Sequence, residues 1–256
     1  MKIVVAGKGG SGKSTVSALL AKSLGMKGYR VIVIDADESN YGLHRLVGTD
    51  EPKELMDHLG GKGAIGKRLR DAMSDDHKLE LLGTRWRIDD IPAECLALNG
   101  DLALMQIGKV KHFSEGCACP MGVLSREFLT HLDLHAGEVA IVDTEAGVEH
   151  IGRGIEAGSD MVLMVVDPSY ESVRLSGKVT SMVKEAGKPT YIVLNKMTAL
   201  EEAHLRMELD EGCIAASLPL DPSLGRAGLL GGEVDTCVDG TERLTDFIIA
   251  RMGEGA

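Results

Sequence analysis

The sequence predicts an α/β fold, doubly wound, with a mostly parallel sheet. Two observations carry that expectation. Short apolar, β-branched runs recur at residues 2–6 (KIVVA), 31–35 (VIVID), 139–143 (VAIVD), 161–166 (MVLMVV) and 190–194 (TYIVL). Near-continuous apolar runs of this length suit strands covered on both faces, which is the parallel kind. Between them lie helical patterns, clearest at residues 13–25, 120–134, 170–186, 200–209 and 242–252. Such alternation places ligands at the carboxyl ends of the strands. Residues 78–82 and 213–217 are weaker strand candidates. At 256 residues and 44% hydrophobic, the chain predicts one domain spanning residues 1–256. Residues 42–137 read as an irregular elaboration over the functional edge, because glycines at 60, 61, 63 and 66 interrupt any pattern.

The first strand leads into Gly7-Lys8-Gly9-Gly10-Ser11-Gly12-Lys13-Ser14-Thr15, which satisfies G-x-x-x-x-G-K-[ST]. It follows a strand and opens a helix, as the mechanism of a phosphate loop requires. The glycines let backbone N–H groups turn inward around phosphate oxygens. Lys13 can reach the β- and γ-phosphates, Ser14 can ligate Mg²⁺, and the helix N-terminus adds positive potential. ATP/ADP and Mg²⁺ are the expected cofactors.

Lys8 departs from an ordinary phosphate loop. The GKGGxGKST form resembles the deviant Walker A (SIMIBI) P-loop NTPases, the dimeric ATPases that include MinD and ParA proteins and the nitrogenase iron protein. The resemblance implies a homodimer in which Lys8 crosses to the partner's nucleotide and supplies transition-state charge. Lys8, Lys13 and Asp37 are then the catalytic candidates.

The second strand ends in Asp35-Ala-Asp37. One carboxylate there can hold Mg²⁺-bound water and the other can orient the attacking water. The resemblance links the second, Asp37, to hydrolysis and leaves Asp35 to the metal. Asp143 ends the 139–143 strand and reads as a water-mediated Mg²⁺ contact. Gly147 would let a backbone N–H approach the γ-phosphate. After the 190–194 strand comes Asn195-Lys196-Met197-Thr198. Guanine-specific loops read NKxD, and Thr198 replaces that Asp, so adenine is the expected base. Asn195 resembles the family's base-contacting residue. Leu218-Pro219-Leu220-Asp221 resembles the segment beside the base, which makes Pro219 a further candidate.

Gly116-Cys117-Ala118-Cys119-Pro120 separates relatives within the family. Two thiols cannot complete a tetrahedral site, which needs four ligands, but a symmetric dimer doubles them to four. Pro120 can open the following helix, whose N-terminus favours thiolates. Ni²⁺ or Zn²⁺ fits such a site. Inert packing thiols, a regulatory disulfide and an intersubunit iron–sulfur cluster remain open readings of the same pair. The phosphate loop, CACP, and Asp143-Thr-Glu-Ala-Gly-Val-Glu-His150 with Gly152-Arg-Gly154 together resemble the CooC proteins, ATPases for nickel insertion into carbon monoxide dehydrogenase. The resemblance implies Ni²⁺ as cargo on Cys117 and Cys119, and carbon monoxide dehydrogenase as partner. The iron protein instead spaces its two cysteines widely, as Cys95 and Cys119 would here. An electron-transfer protein with a shared cluster and a MinD/ParA-type positioning switch are the alternatives.

The net charge of −11 disfavours broad capture of nucleic acid or anionic lipid. Five scattered cysteines, with neither a secretory pattern nor a long apolar run, fit a cytoplasmic protein. His131 and His135 lie four apart, a helical spacing at the end of the expected 120–134 helix, and read as a solvated face. The last helix has only Arg243 and Arg251 as basic residues and reads as a packing element, not a membrane anchor.

Overall fold

The computed structural model describes residues 1–74, 81–110, 119–147 and 154–253. Eight strands form one sheet in the order β3-β4-β2-β5-β1-β6-β7-β8. They are β1 (Lys2–Gly7), β2 (Arg30–Ala36), β3 (Ala97–Asn99), β4 (Leu102–Gln106), β5 (Glu138–Thr144), β6 (Met161–Val166), β7 (Thr190–Met197) and β8 (Ile214–Pro219). Every pairing is parallel except the β3–β4 hairpin at one edge.

Alternation along each strand sends side chains to two separate cores. Ile3 and Val5, Val31 and Val33, and Val139 and Ile141 face one side. There they meet Val16, Leu19, Leu20 and Leu24 of α1 (Lys13–Met26), with Leu244 and Ile248 from the last helix (Thr241–Gly253). Val4, Ile32, Ile34, Ala140 and Val142 face the other side. That core is closed by Leu124, Phe128 and Leu129 of the helix Cys119–His131 and by Val179 and Val183 of the helix Tyr170–Glu185. Phe128 also takes the edge of Trp86, ring centroids 6.0 Å apart at 81°. Each fully buried Val or Ile contributes about 1.5–3 kcal/mol relative to exposure, so this two-sided burial fixes the strand register.

The five principal strands and five principal helices fall where the sequence places them, within a few residues at the ends. The weaker candidate at 213–217 is β8. The candidate at 78–82 is not tested as a whole, since residues 78–80 lie outside the described residues, and Leu81 and Leu82 form a bend.

The stretch 42–137 differs from expectation. Leu102–Gln106 is an interior strand paired with β2, so this stretch builds part of the main sheet. Its signal was Asn99-Gly100, a hairpin turn pair between two short strands, with Gly100 at φ 60°. Residues 43–47, 55–58 and 61–74 are helices. The last forms despite Gly63 and Gly66, each costing about 1 kcal/mol in a helix interior, because Ile65 is fully buried in the core. The helix Pro222–Leu230 was also missed, although Asp221 caps it through Ser223 N and Pro222 opens it. The helix from Cys119 ends at His131, so His131 and His135 do not share one. The His131 Nδ1 lies 2.8 Å from the Glu127 carbonyl oxygen.

Among the described residues no helix is long and apolar enough to cross a membrane. The last helix packs as expected, with Phe247 against Tyr191 and Arg251 over both rings.

Candidate functional site

β1 lies between β5 and β6; the chain runs from β1 to β2 on one side and later crosses from β5 to β6 on the other. That is the switch point where an open parallel sheet leaves a crevice at its carboxyl edge. Residues 7–15 cross this crevice. Gly7 is held closely, since a Cβ there would lie 2.6 Å from the Val165 carbonyl oxygen. Gly12 adopts φ 97°, and a Cβ on it would meet Asn195 Nδ2 at 2.2 Å. The turn Ser11 N→Lys8 O (3.1 Å) closes the loop. α1 then begins at Lys13 with no side-chain cap on its first amides, which leaves them for an anion. Ser11 Oγ is buried with no hydrogen-bond partner.

Gly12→Ala is expected to lower thermal stability and weaken ATP binding at least tenfold. The new methyl meets Asn195, and the left-handed backbone costs an L-residue about 1–3 kcal/mol. Calorimetric unfolding and nucleotide titration check this. Wild-type values in both would show that the loop tolerates the methyl.

Lys13 is buried at the head of α1. Ser14 Oγ donates to Asp143 Oδ2 at 2.5 Å and accepts from Asn40 Nδ2 at 2.7 Å. Ser17 Oγ donates to Asp143 Oδ1 at 3.3 Å. Burial pushes the Asp143 carboxyl up to about 6, against the lowering pull of Ser14 and the Lys13 charge. Asp37 is nearly buried, and its Oδ1 accepts from the backbone N–H and hydroxyl of Ser39 at 2.9 and 2.7 Å. The hydroxyl of Ser14 and the carboxylates of Asp143 and Asp37 form a hard-oxygen donor set. With the orphaned Ser11 hydroxyl beside it, this set fits Mg²⁺ and a polyphosphate. Thr15 is half-buried in the first turn of α1, and Gly9 and Gly10 are exposed at the loop crest.

Asp35, expected as a metal contact, is paired with a lysine in this structure. It is fully buried, and its register partner on β5 is Asp143, a second buried carboxylate. Its Oδ2 takes a 2.6 Å hydrogen bond from Lys109 Nζ, and its Oδ1 accepts from Asp37 N at 3.2 Å. A buried charge without a partner is costly, and Lys109 supplies the partner. Even so, burial pushes the Asp35 carboxyl up to about 7.

Lys8 is not a solvated lysine. Its Nζ donates to Ser169 Oγ at 3.0 Å and lies 3.6 Å from Asp167 Oδ2. Burial raises the Asp167 carboxyl, but the hydroxyls of Ser169 and Ser172 and the Lys8 charge outweigh it and hold it below the ordinary range. Ser169 also caps the helix Tyr170–Glu185 through Ser172 N. The Gly147 N–H donates to the Gly7 carbonyl at 3.1 Å, so it joins the two loops instead of reaching into the crevice.

Asn195 lies at the phosphate loop. Its Nδ2 donates to Ser11 O at 2.7 Å, and the neighbouring Lys196 Nζ donates to Gly10 O at 2.6 Å. Both brace the loop backbone from β7. Thr198, which stands where a guanine loop has Asp, forms a capping box with Glu201 at the head of the helix Ala199–Glu208. Pro219 ends β8 beside Met197.

Sequence reasoning missed Asn40, Lys109, Asp167 and Ser169. Lys109 had a readable signal, since it follows the carboxyl end of β4, but that strand was not recognised. Cys117 lies outside the described residues. Cys119 begins its helix, and its side chain is outside them also. Cys95 is buried, Cys213 half-buried and Cys237 exposed.

The chain is 44% identical over 235 residues to an uncharacterized ATP-binding protein, MJ0084, of Methanocaldococcus jannaschii, covering 92% of this chain and 94% of that one. It is 30% identical over 263 residues to the carbon monoxide dehydrogenase accessory protein CooC of Rhodospirillum rubrum, covering 99% and 98%. The fold matches the septum site-determining protein MinD from Pyrococcus horikoshii, solved with Mg-ADP. That match has a TM-score of 0.68 at 19% identity and covers 100% of this chain and 98% of that one. Residues 2–232 match the CobQ/CobB/MinD/ParA nucleotide binding domain, and the chain belongs to that family.

Proposed function

We propose that this protein is a cytoplasmic ATPase that dimerises around ATP and carries nickel on Cys117 and Cys119 of two chains for insertion into carbon monoxide dehydrogenase. The ATPase reading is carried by the convergence of Lys13, Ser14, Asp37 and Asp143 on one loop. The nickel reading is supported by the Cys117-Ala-Cys119 sequence and the full-length similarity to CooC.

Loop amides and Lys13 bind the β- and γ-phosphates. Ser14 and Asp143 would hold Mg²⁺, which neutralises phosphate charge when bound. Asp35 stays with Lys109, outside that set. Asp37 orients water for attack on the γ-phosphate. Lys8, held by Asp167 and Ser169 within its own chain, transfers to the partner's nucleotide on dimerisation. Asn195 braces the loop, and together with Pro219 it flanks the adenine.

Asp37→Asn is expected to reduce kcat by roughly 10²-fold or more while ATP affinity stays near wild type, since a positioned proton acceptor is lost and phosphate contacts are kept. Single-turnover hydrolysis beside nucleotide titration reads both. Normal turnover would make Asp37 a turn residue.

The function as a whole is tested on anaerobically purified protein by ATP hydrolysis, light scattering with and without ATP, and metal analysis. ATP-promoted dimers carrying nickel are expected. A brown iron-containing product would overturn the nickel reading in favour of electron transfer. ATP-dependent cosedimentation with DNA or vesicles would favour a positioning ATPase.

A further inference from the structure

We infer that Lys109 is a positioning residue for ATP hydrolysis: its ammonium fixes the Asp35–Asp37 turn, so that Asp37 is held at the phosphate loop. The inference rests on the proposed ATPase reading but has a readout independent of it.

The side chain of Lys109 is 1% exposed and that of Asp35 is fully buried. Nζ donates to Asp35 Oδ2 and to the Asp37 backbone carbonyl, both at 2.6 Å. One buried cation thus holds a side chain and a main-chain oxygen two residues apart. Its own backbone is also anchored, because Lys109 N donates to Glu54 Oε2 at 3.0 Å.

The contacts on either side repeat the same connection. Ile107 N donates to Asp35 O at 3.0 Å, and Val110 N donates to Glu38 O at 3.2 Å. The Tyr41 hydroxyl donates to the Val110 carbonyl. Residues 107–110 therefore fasten residues 35–41 along their length, and Lys109 supplies the charged contact. Beyond that turn, Asn40 reaches Ser14 and Asp37 binds Ser39.

Charge neutralisation of Asp35 would by itself explain a lysine here. It does not explain the second hydrogen bond, to the Asp37 carbonyl. That bond fixes the backbone from which the Asp37 carboxylate projects. A displacement of about 1 Å at such a group is enough to lower a rate about 10²-fold.

The test separates neutralisation from positioning. Lys109→Met leaves Asp35 buried without its cation, so Tm is expected to fall by about 10 °C. Lys109→Met/Asp35→Asn removes both charges and should recover most of that loss. In this double variant, hydrolysis should remain at least tenfold below wild type with ATP affinity within about threefold. Lys109→Arg, which keeps the charge and can still reach the carbonyl, should restore part of kcat.

Hydrogen exchange of the nucleotide-free protein gives the independent readout. Amides of residues 37–41 should exchange at least tenfold faster in the double variant, with β1 and β6 unchanged. Wild-type exchange there, or turnover that recovers together with Tm, would overturn the inference. Faster exchange in a protein whose wild type does not hydrolyse ATP would uphold the structural role and remove the ATPase reading instead.

Discussion

Lys8→Ala is expected to lower ATP turnover by roughly 10³-fold, the scale on which a cation supplied across an interface acts in phosphoryl transfer. ATP affinity of the monomer should change little, because Lys8 lies on Asp167 and Ser169 and not beneath the loop. Lys13→Ala should do the reverse and weaken ATP binding about 10²-fold or more. Removing one partner of a buried charged contact costs about 2–5 kcal/mol, and about 1.4 kcal/mol is tenfold in affinity. The two lysines stand five residues apart in one loop, so their separation into different measurements is the informative result. Nucleotide titration, steady-state hydrolysis and light scattering on both variants decide it. Wild-type turnover and ATP-driven dimerisation in Lys8→Ala would show that this lysine acts only within its own chain.

Single substitution of either thiol, Cys117→Ser or Cys119→Ser, is expected to abolish tight nickel binding. Two chains contribute two thiols each, so one substitution reduces the ligand set from four to two. The loss should exceed the roughly 10–100-fold that removal of a supporting hydrogen bond costs a metal site. Wild-type protein should bind one Ni²⁺ per dimer. Affinity should fall as pH drops, because the ligands bind as thiolates and protons compete. Nickel should also promote dimerisation without nucleotide, through the linkage of binding to assembly. Equilibrium dialysis with light scattering measures all of this. One metal per monomer, or unchanged binding in both variants, would place the site elsewhere.

The principal strands were legible because two-sided burial leaves an apolar run with few alternatives. β4 was not legible in the same way. Its five residues are all buried, yet they sit among glycines and short helices that blur any period. The helix Gly61–Ser74 was unreadable for the opposite reason. Its glycines argue against a helix, and the burial of Ile65 in the core overrides them. Asn195 was expected beside the base, and the structure places it against the phosphate loop. Its bond to Ser11 O, across 184 positions, could not be read from a linear pattern.

The phosphate loop was determined by the sequence alone, because strand, glycines and helix start are local and lie within the first fifteen residues. The order of strands and helices followed from periodicity, which is local as well. Only the tertiary structure decided the separate places of Asp35 and Asp37. The sequence offers two carboxylates two residues apart at the end of β2 and does not show which one is buried against a cation. The distinction came from Lys109, which lies 74 positions from Asp35. Burial of Asp35 demanded a cation, and the chain leaving β4, seated beside β2, delivers it. Lys8 shows the same division: its place in the loop is written in the sequence, and its contact with Asp167 exists because β6 lies next to β1.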